Sequence, residues 1–337
     1  MPALAVADAL RAEGAEVVFV GGDRAELELV PAAGYELCPL RVVPLPRRRP
    51  VKALHAGLIA AGAVRDARRV LKQVRPAAVL GGGGYVAGPV GLSAVVSRVP
   101  LVLTEADSHL GLTNRALAPV ARRVCLSFPV DGRDGARYVV TGRPVPAPAT
   151  DWEAARARFG IGLRESCVLV FGGSQGARSI NRAAVEAFAG ARFHVLHAAG
   201  ERDLHELQEM RPPAPHYDLR GYVSRFGEAL LASDLVVARA GGSIFEIAAH
   251  GRPAVLIPYP YATSDHQTAN ARFMECAGAA VLIPDNELTG PRLAHEVGRL
   301  LADPGRLTAM ARASAELARP NAARDIAHEV LAAVRTR

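Results

Sequence analysis

The sequence predicts an α/β protein built from two doubly wound parallel sheets, one in each half of the chain. Three observations carry this prediction. Short apolar segments of strand composition alternate with helical patterns from end to end, which is how parallel sheets covered by helices read in sequence. Near the middle, RPVPAPATD (residues 143–151) contains Pro144, Pro146 and Pro148 and reads as an interdomain linker. Several strands run straight into glycine-rich turns that open helices, and ligands of such sheets bind beyond the carboxyl ends of the strands. With 337 residues, 50% of them hydrophobic, the chain is long enough for two cores, and a cleft between the two domains is expected.

MPALAVADAL opens the chain as a helix: Ala3, Leu4, Ala7 and Leu10 make one apolar stripe, and Pro2 stands where a first turn tolerates proline. Strands follow at EVVFV, ELCPLRV, AAVLGG, PLVLTE, RVCLSF and YVVTG. After the linker the pattern restarts at CVLVFGG and continues through FHVLHAAG, LVVAR, AVLIPYP and AAVLIPD. From Pro320 a last helix runs to Val334, after the second sheet is complete, and is expected to cross back to the first domain. The expected division is 1–144, 145–319 and the terminal helix 320–337.

Composition removes several function classes. The longest apolar runs, such as GLIAAGAV, fall far short of the ~18 residues of a membrane span, and no signal-peptide pattern opens the chain. Cys38, Cys125, Cys167 and Cys276 lie far apart with no CxxC pair, which argues against zinc or redox chemistry and suits a reducing compartment. The net charge of +7 invites a polyanion. Nucleic acid is disfavoured, because the basic stretches lack RNP motifs, zinc fingers and interleaved aromatics. An anionic membrane surface or a diphosphate ligand explains the charge equally well. RRRPVKALHAGLIAAGAVRDARRVLKQVR (47–75) holds nine Lys/Arg against one acidic residue and reads as a sheet-covering helix with a basic face.

Four strand-to-helix turns are rich in glycine. In VFGGSQGARSIN, Gly172, Gly173 and Gly176 let backbone amides approach a ligand while Ser174 offers a hydroxyl near a helix start, an arrangement that suits a diphosphate. It is neither a Walker loop nor GxGxxG, and a plain tight turn would look similar. ARAGGSIFEIAAHGRPAVLIPYP repeats the layout, with Gly241, Gly242, Ser243 at an N-cap position and Glu246 one turn in. That carboxylate is either a macrodipole partner or an acceptor of two ribose hydroxyl protons. YATSDHQTANARF starts a further helix with Asp265, His266, Gln267 and Asn270, either as a surface cap or as polar contacts to a sugar. In the first half, VLGGGGYVAGPVG puts Gly81–Gly84 at a strand end. LTEADSHLGLTNRA crowds Glu105, Asp107 and His109 onto the next strand end, and titratable groups at adjacent strand ends point to a site.

These loops, in this order, resemble the MurG family of glycosyltransferases. The matching stretches are GGGGYVAGP, GLTNRALA, VTGRPV, GGSQGARSIN, ASDLVVARAGG, EIAAHGRPAVLIPYP and HQTANARFMECAGAA, and they extend from about residue 2 to 290. The resemblance implies a GT-B fold with an acceptor domain first and a UDP-sugar domain second. It implies inverting transfer of N-acetylglucosamine from UDP-N-acetylglucosamine to lipid I, the undecaprenyl-diphosphate-linked muramyl pentapeptide, giving lipid II for peptidoglycan. It also implies a peripheral enzyme on the cytoplasmic face of the bacterial membrane, serving cell shape and division, with no cofactor or catalytic metal. By position, Ser174 resembles the family's diphosphate contact, with Gly173 and Gln175 beside it. Glu246 resembles the ribose-binding carboxylate and Gln267 a sugar contact. His266 replaces the first glutamine of a frequent Gln-Gln pair. Val223 lies where a backbone group reads uracil, and Ser243 stands in for a threonine. On the acceptor side the resemblance implies Gly83, Gly84, Tyr85, Glu105 and Arg143.

The departures are specific. Thr104-Glu105-Ala106-Asp107 stands where many members read His-Glu-Gln-Asn, and TGRPVP replaces TGNPVR, so Arg143 and Pro146 replace Asn and Arg. Family members begin with a strand and the loop GGTGGHxxP. Pro2 matches that final proline, so the resemblance implies that a first strand and its histidine loop precede Met1 in the full-length gene. That histidine is the family's usual base; among the residues present, Asp107 is the first candidate and His109 the second. The rival readings are another GT-B UDP-sugar enzyme, such as a glycolipid synthase or an epimerase, and a non-catalytic UDP-sugar-binding relic.

Overall fold

The computed structural model describes residues 2–22, 25–40, 42, 50–173, 176–210 and 214–335, with only the backbone described over 50–61. It divides into two compact units, residues 1–145 with 319–337 and residues 146–318.

The first unit runs α1 (Pro2–Ala12), β1 (Val18–Gly21), α2 (Glu26–Ala32), β2 (Glu36–Pro39), α3 (Pro50–Val74), β3 (Val79–Gly81), α4 (Gly84–Val96), β4 (Leu101–Glu105), α5 (Leu112–Leu117), β5 (Arg123–Leu126) and β6 (Tyr138–Val140). All its strand pairs are parallel, but they form two sheets: β1 pairs with β2, and β3-β4-β5-β6 pair in that order. Among the described residues β1 and β3 do not pair with each other. The period-2 geometry of strands divides the side chains between two faces. Leu101, Leu103, Val124 and Leu126 pack with Ala63, Ala67 and Leu71 of α3 and with Val90 and Ala94 of α4. Val102 and Cys125 point the other way, onto Val6 and Leu10 of α1 and the C-terminal helix. In α1 the buried residues are Val6, Ala7 and Leu10; Ala3 is exposed, so Val6 takes its place in the expected stripe.

The second unit runs α6 (Trp152–Arg158), β7 (Cys167–Phe171), α7 (Arg178–Phe188), β8 (His194–Ala198), α8 (Glu201–Met210), β9 (Tyr217–Arg220), α9 (Phe226–Ala232), β10 (Leu235–Ala238), α10 (Ile244–Ala249), β11 (Ala254–Leu256), α11 (His266–Cys276), β12 (Ala280–Leu282), α12 (Gly290–Leu301) and α13 (Pro304–Glu316). Its six parallel strands are ordered β12-β11-β10-β7-β8-β9. The central strands CVLVF and LVVA are buried along their whole length, which is why they read as unbroken apolar runs. Each Val, Leu and Phe side chain in them contributes roughly 1.5–3 kcal/mol of burial free energy. Beyond this unit the chain returns to the first as α14 (Ala322–Arg335), where Ile326, Ala327 and Val330 join Val6, Val102 and Cys125. Arg123 Nε donates to Glu329 at 2.9 Å across the same contact.

Desolvation pushes the Cys125 and Cys167 thiols up to about 12, so neither is a nucleophile near neutral pH. No described helix is long and apolar enough to cross a membrane.

Candidate active site

Strand order marks a candidate ligand crevice in the second unit. The chain fills the sheet outward from β7 through β8 to β9, then returns to the other side of β7 with β10 and continues to β12. The order therefore reverses between β7 and β10, and the crevice beyond the carboxyl ends of such a strand pair is where doubly wound sheets take ligands. In register, Phe171 lies beside Ala238. The turn at 172–177 and the turn at 240–243 thus leave the sheet side by side.

The first turn is shaped by its glycines. A Cβ on Gly172 would sit 2.3 Å from Ala177, and one on Gly176 would sit 2.0 Å from the Ala199 carbonyl oxygen at the end of β8. Gly173, with φ +92, has open space around it. Closure of the turn explains Gly172 and Gly176, and Gly173 presents backbone outward ahead of the α7 N-terminus. Ser174 and Gln175 lie outside the described residues.

Behind that turn is a buried polar network. Asn181 Nδ2 donates to the Ala199 carbonyl at 2.9 Å and to Asp203 at 3.1 Å. Its Oδ1 must therefore accept from His197 Nε2, 3.1 Å away, which leaves His197 Nδ1 to accept from the Tyr217 hydroxyl at 2.9 Å. His197 is fully buried, and desolvation pushes it down to about 3. Its ring is neutral.

The second turn holds Ser243 and Glu246 on the short helix α10. Ser243 sits at the N-cap, but its backbone is already helical and its side chain makes no cap hydrogen bond, contrary to the expected cap. Glu246 is half-buried in the first turn. Its carbonyl accepts from His250 Nδ1 at 2.8 Å, so His250 Nε2 is the acceptor for the Ala149 amide at 3.2 Å. Burial lowers the His250 pKa and keeps this ring neutral.

Gln267 joins the second turn. Its Nε2 lies 3.7 Å from where a Cβ on Gly241 would be, and its Oε1 accepts from the Tyr259 amide at 3.0 Å. His266 precedes it at the start of α11, with Nδ1 donating to the Thr263 carbonyl at 2.9 Å. The backbone reaches α11 through two left-handed residues, Ser264 (φ 55) and Asp265 (φ 54). Asn270 Nδ2 donates to the Ala240 carbonyl at 3.0 Å, tying α11 beneath the same turn. Val223 follows β9, two strands away from β7, with its side chain buried.

In the first unit, Gly83 and Gly84 are both left-handed and lead into α4. The Gly84 carbonyl accepts from Thr113 Oγ1 at 3.0 Å. Tyr85 follows in the first turn, its hydroxyl 3.5 Å from where a Cβ on Gly22 would be. Glu105, expected as an acceptor contact, is engaged by its own loop. It is buried, and its two oxygens accept from four donors: the amides of Ala106, Asp107 and Gly111, and Asn114 Nδ2. Such a carboxylate has its bonding capacity filled and organises the 105–111 loop. Asn114 also donates to the Thr104 carbonyl, which leaves its buried Oδ1 without a partner among the described residues. Asp107 and His109, both half-buried, sit on the loop that Glu105 organises. Arg143 lies one residue past the left-handed Gly142, near the end of this unit.

Sequence reasoning missed Arg239, Ser179 and Asp285, a hydrogen-bonded cluster in the second unit in which Arg239 is buried and Ser179 and Asp285 are half-buried. The signal for Arg239 was present: one cation closing the apolar run LVVA, just before AGG.

Comparison with known proteins identifies the family and the fold. The glycosyltransferase family 28 C-terminal domain matches residues 167–330, and the family 28 N-terminal domain matches residues 1–126. Curated relatives named UDP-N-acetylglucosamine–N-acetylmuramyl-(pentapeptide) pyrophosphoryl-undecaprenol N-acetylglucosamine transferase include one from Halothermothrix orenii, 36% identical, covering 95% of this chain and 91% of that protein. Another, from Alkalilimnicola ehrlichii, is 42% identical over 97% of this chain and 93% of that protein. The crystal structure of Acinetobacter baumannii MurG superposes with a TM-score of 0.82 at 28% identity, covering 98% of this chain and 95% of that one. A putative UDP-N-acetylglucosamine 2-epimerase from Listeria monocytogenes shares the fold, with a TM-score of 0.70 at 16% identity over 99% of this chain and 92% of that one. The fold is that of the GT-B glycosyltransferases, and the chain belongs to the MurG family.

Proposed function

We propose that this chain transfers N-acetylglucosamine from UDP-N-acetylglucosamine to undecaprenyl-diphosphate-linked muramyl pentapeptide, the step that makes lipid II for peptidoglycan. The observation that carries the reading is the pairing of β7 with β10 at the reversal of strand order, which sets two glycine turns side by side.

The second unit is the donor unit. Backbone amides around Gly173 and the N-terminus of α7 receive the diphosphate, together with Ser174 and Gln175, and stabilise the charge that develops as UDP leaves. Glu246 accepts from the ribose hydroxyls, Gln267 and His266 hold the sugar, Ser243 lines the second turn, and backbone at Val223 reads the base. The first unit takes the acceptor along Gly83, Gly84 and Tyr85, with Arg143 as a cationic contact. Glu105 acts there as a positioning residue, because its carboxylate fixes the loop bearing Asp107 and His109. The acceptor 4-hydroxyl attacks C1 through an oxocarbenium-like state and inverts the anomeric centre. Asp107 removes the hydroxyl proton, with His109 as the second candidate.

A peripheral position on an anionic membrane, at its cytoplasmic face, follows from this acceptor. In support, Arg65, Arg68, Arg69, Lys72 and Arg75 are all exposed along and just beyond α3. Leu92 and Val96 of α4, Leu112 of α5 and nearby Val120 expose apolar side chains. Arg47, Arg48 and Arg49 of the basic segment lie outside the described residues. Cation clusters and apolar tips are what anionic bilayers bind.

The test is UDP release with both substrates supplied. The reading expects release only when the lipid acceptor is present. Conversion of UDP-N-acetylglucosamine to its 2-epimer, or UDP binding with no turnover, would instead favour the epimerase or binding-relic readings.

A further inference from the structure

Arg239 is the residue in the second unit whose environment calls most for explanation. It immediately follows β10, is 9% exposed, and stands two residues before Gly241. A buried guanidinium persists only where its donors are matched by acceptors. Here the acceptors come from three different segments. Nη1 donates to the Ile257 and Pro258 carbonyls at 3.2 and 3.1 Å, where β11 ends, and to Asp285 Oδ1 in the turn after β12. Nη2 donates to Ser179 Oγ at 2.8 Å, and that hydroxyl in turn donates to Asp285 Oδ1 at 2.7 Å. The ring Arg239–Ser179–Asp285 is closed, with the two protons of Nη1 shared among three acceptors and the cation opposite one carboxylate.

Ser179 is the second residue of α7, the helix that opens behind Gly172–Gly176. Its two bonds fix the first turn of that helix on the β10 side. On the β8 side the same turn is fixed by the contact of Gly176 with Ala199 and by Asn181. The face of Tyr259 lies 5.5 Å from the guanidinium, and the Tyr259 amide donates to Gln267 Oε1. One cation therefore connects the α7 start, the Gly241 turn and the Gln267 helix.

We infer that Arg239, Ser179 and Asp285 form a positioning clamp that sets the first turn of α7 against the Gly241–Gly242 turn, so that both address one nucleoside diphosphate. The inference rests on the donor-site reading given above. The clamp acts through backbone placement, and Arg239 is a positioning residue. Lysine cannot replace it, because an ammonium lacks the planar fork that serves separated acceptors.

The experiment uses the full chain with Ser179→Ala, Ser179→Thr, Asp285→Asn, Arg239→Lys and Glu246→Ala. It measures UDP binding by calorimetry, donor and acceptor KM, and thermal unfolding. Ser179→Ala is expected to raise UDP Kd and donor KM about five- to tenfold with acceptor KM unchanged, while Ser179→Thr, which keeps the hydroxyl, stays within twofold of wild type. Asp285→Asn should follow Ser179→Ala. If Arg239→Lys does not fold, Ser179→Ala and its threonine rescue still decide the matter. A lower melting temperature with unaltered UDP affinity in the folded Ser179→Ala protein overturns the clamp, as does failure of threonine to rescue. If UDP binds wild type and Glu246→Ala weakens it while Ser179→Ala does not, the clamp alone falls. If wild type does not bind UDP, the donor reading falls and takes the clamp with it.

Discussion

His197 makes the stability of the second unit depend on pH in a window that can be calculated. Its ring is fully buried, neutral, and held by Tyr217 and Asn181, and desolvation lowers its pKa to about 3. In the unfolded chain a histidine titrates near ~6.5. The folded pKa lies below the unfolded one, so between these values the unfolded state binds the extra proton. The stability is complete above the unfolded pKa and is lost as pH falls from about 6.5 toward 3. Between pH 7 and pH 5 the loss from this one group is about 2 kcal/mol, since each pH unit well inside the window is worth about 1.4 kcal/mol. His194 and His250, both lowered chiefly by burial, add loss in the same direction. The paired carboxylate of Asp203, lowered chiefly by its bond to Arg202, responds only at more acid pH. The assay is urea unfolding of the full chain at pH 7 and pH 5, followed by the fluorescence of Trp152, the sole tryptophan, which lies in the second unit. His197→Gln should be less stable than wild type at pH 7, yet lose about 2 kcal/mol less on acidification. Equal losses in both proteins would refute the buried neutral histidine.

Three further outcomes follow from the same geometry. Glu246→Ala should weaken UDP binding by roughly 10- to 150-fold, since a charged hydrogen bond is worth about 1.5–3 kcal/mol, with little change in the unfolding of the second unit; unchanged calorimetric affinity would remove its ribose role. Glu105→Ala strands the amides of Ala106, Asp107 and Gly111, so the first unit should lose about 3 kcal/mol or more, seen as faster amide exchange across residues 105–114. Association with vesicles should rise with anionic lipid and fall with salt, with charge reversal at Arg65, Arg68 and Arg69 lowering it; equal association with neutral vesicles would contradict the basic-face reading.

What could be read from sequence follows from how each feature is encoded. CVLVF and LVVA are unbroken apolar runs because parallel central strands are buried on both faces, and both were recognisable. The edge strand β9, Tyr217–Arg220, escaped notice because YDLR carries two charges and only Tyr217 is buried. Glycine turns could be found one by one, but their adjacency depends on strand order, which no local pattern records. Glu105 stood out as a carboxylate at a strand end, while its occupation by three amides and Asn114 is visible only in three dimensions. The Arg239 cluster draws on residues 179, 239 and 285, a spacing without sequence signature.

The central claim is the identity of the bond formed. The decisive measurement incubates the chain with UDP-N-acetylglucosamine and the undecaprenyl-diphosphate-linked muramyl pentapeptide, then determines the mass of the lipid product and its anomeric linkage by NMR. The account predicts a product heavier by one N-acetylhexosamine residue, β-linked to the muramyl 4-hydroxyl. An α linkage, attachment at another hydroxyl, or recovery of unmodified acceptor while UDP remains bound would contradict it.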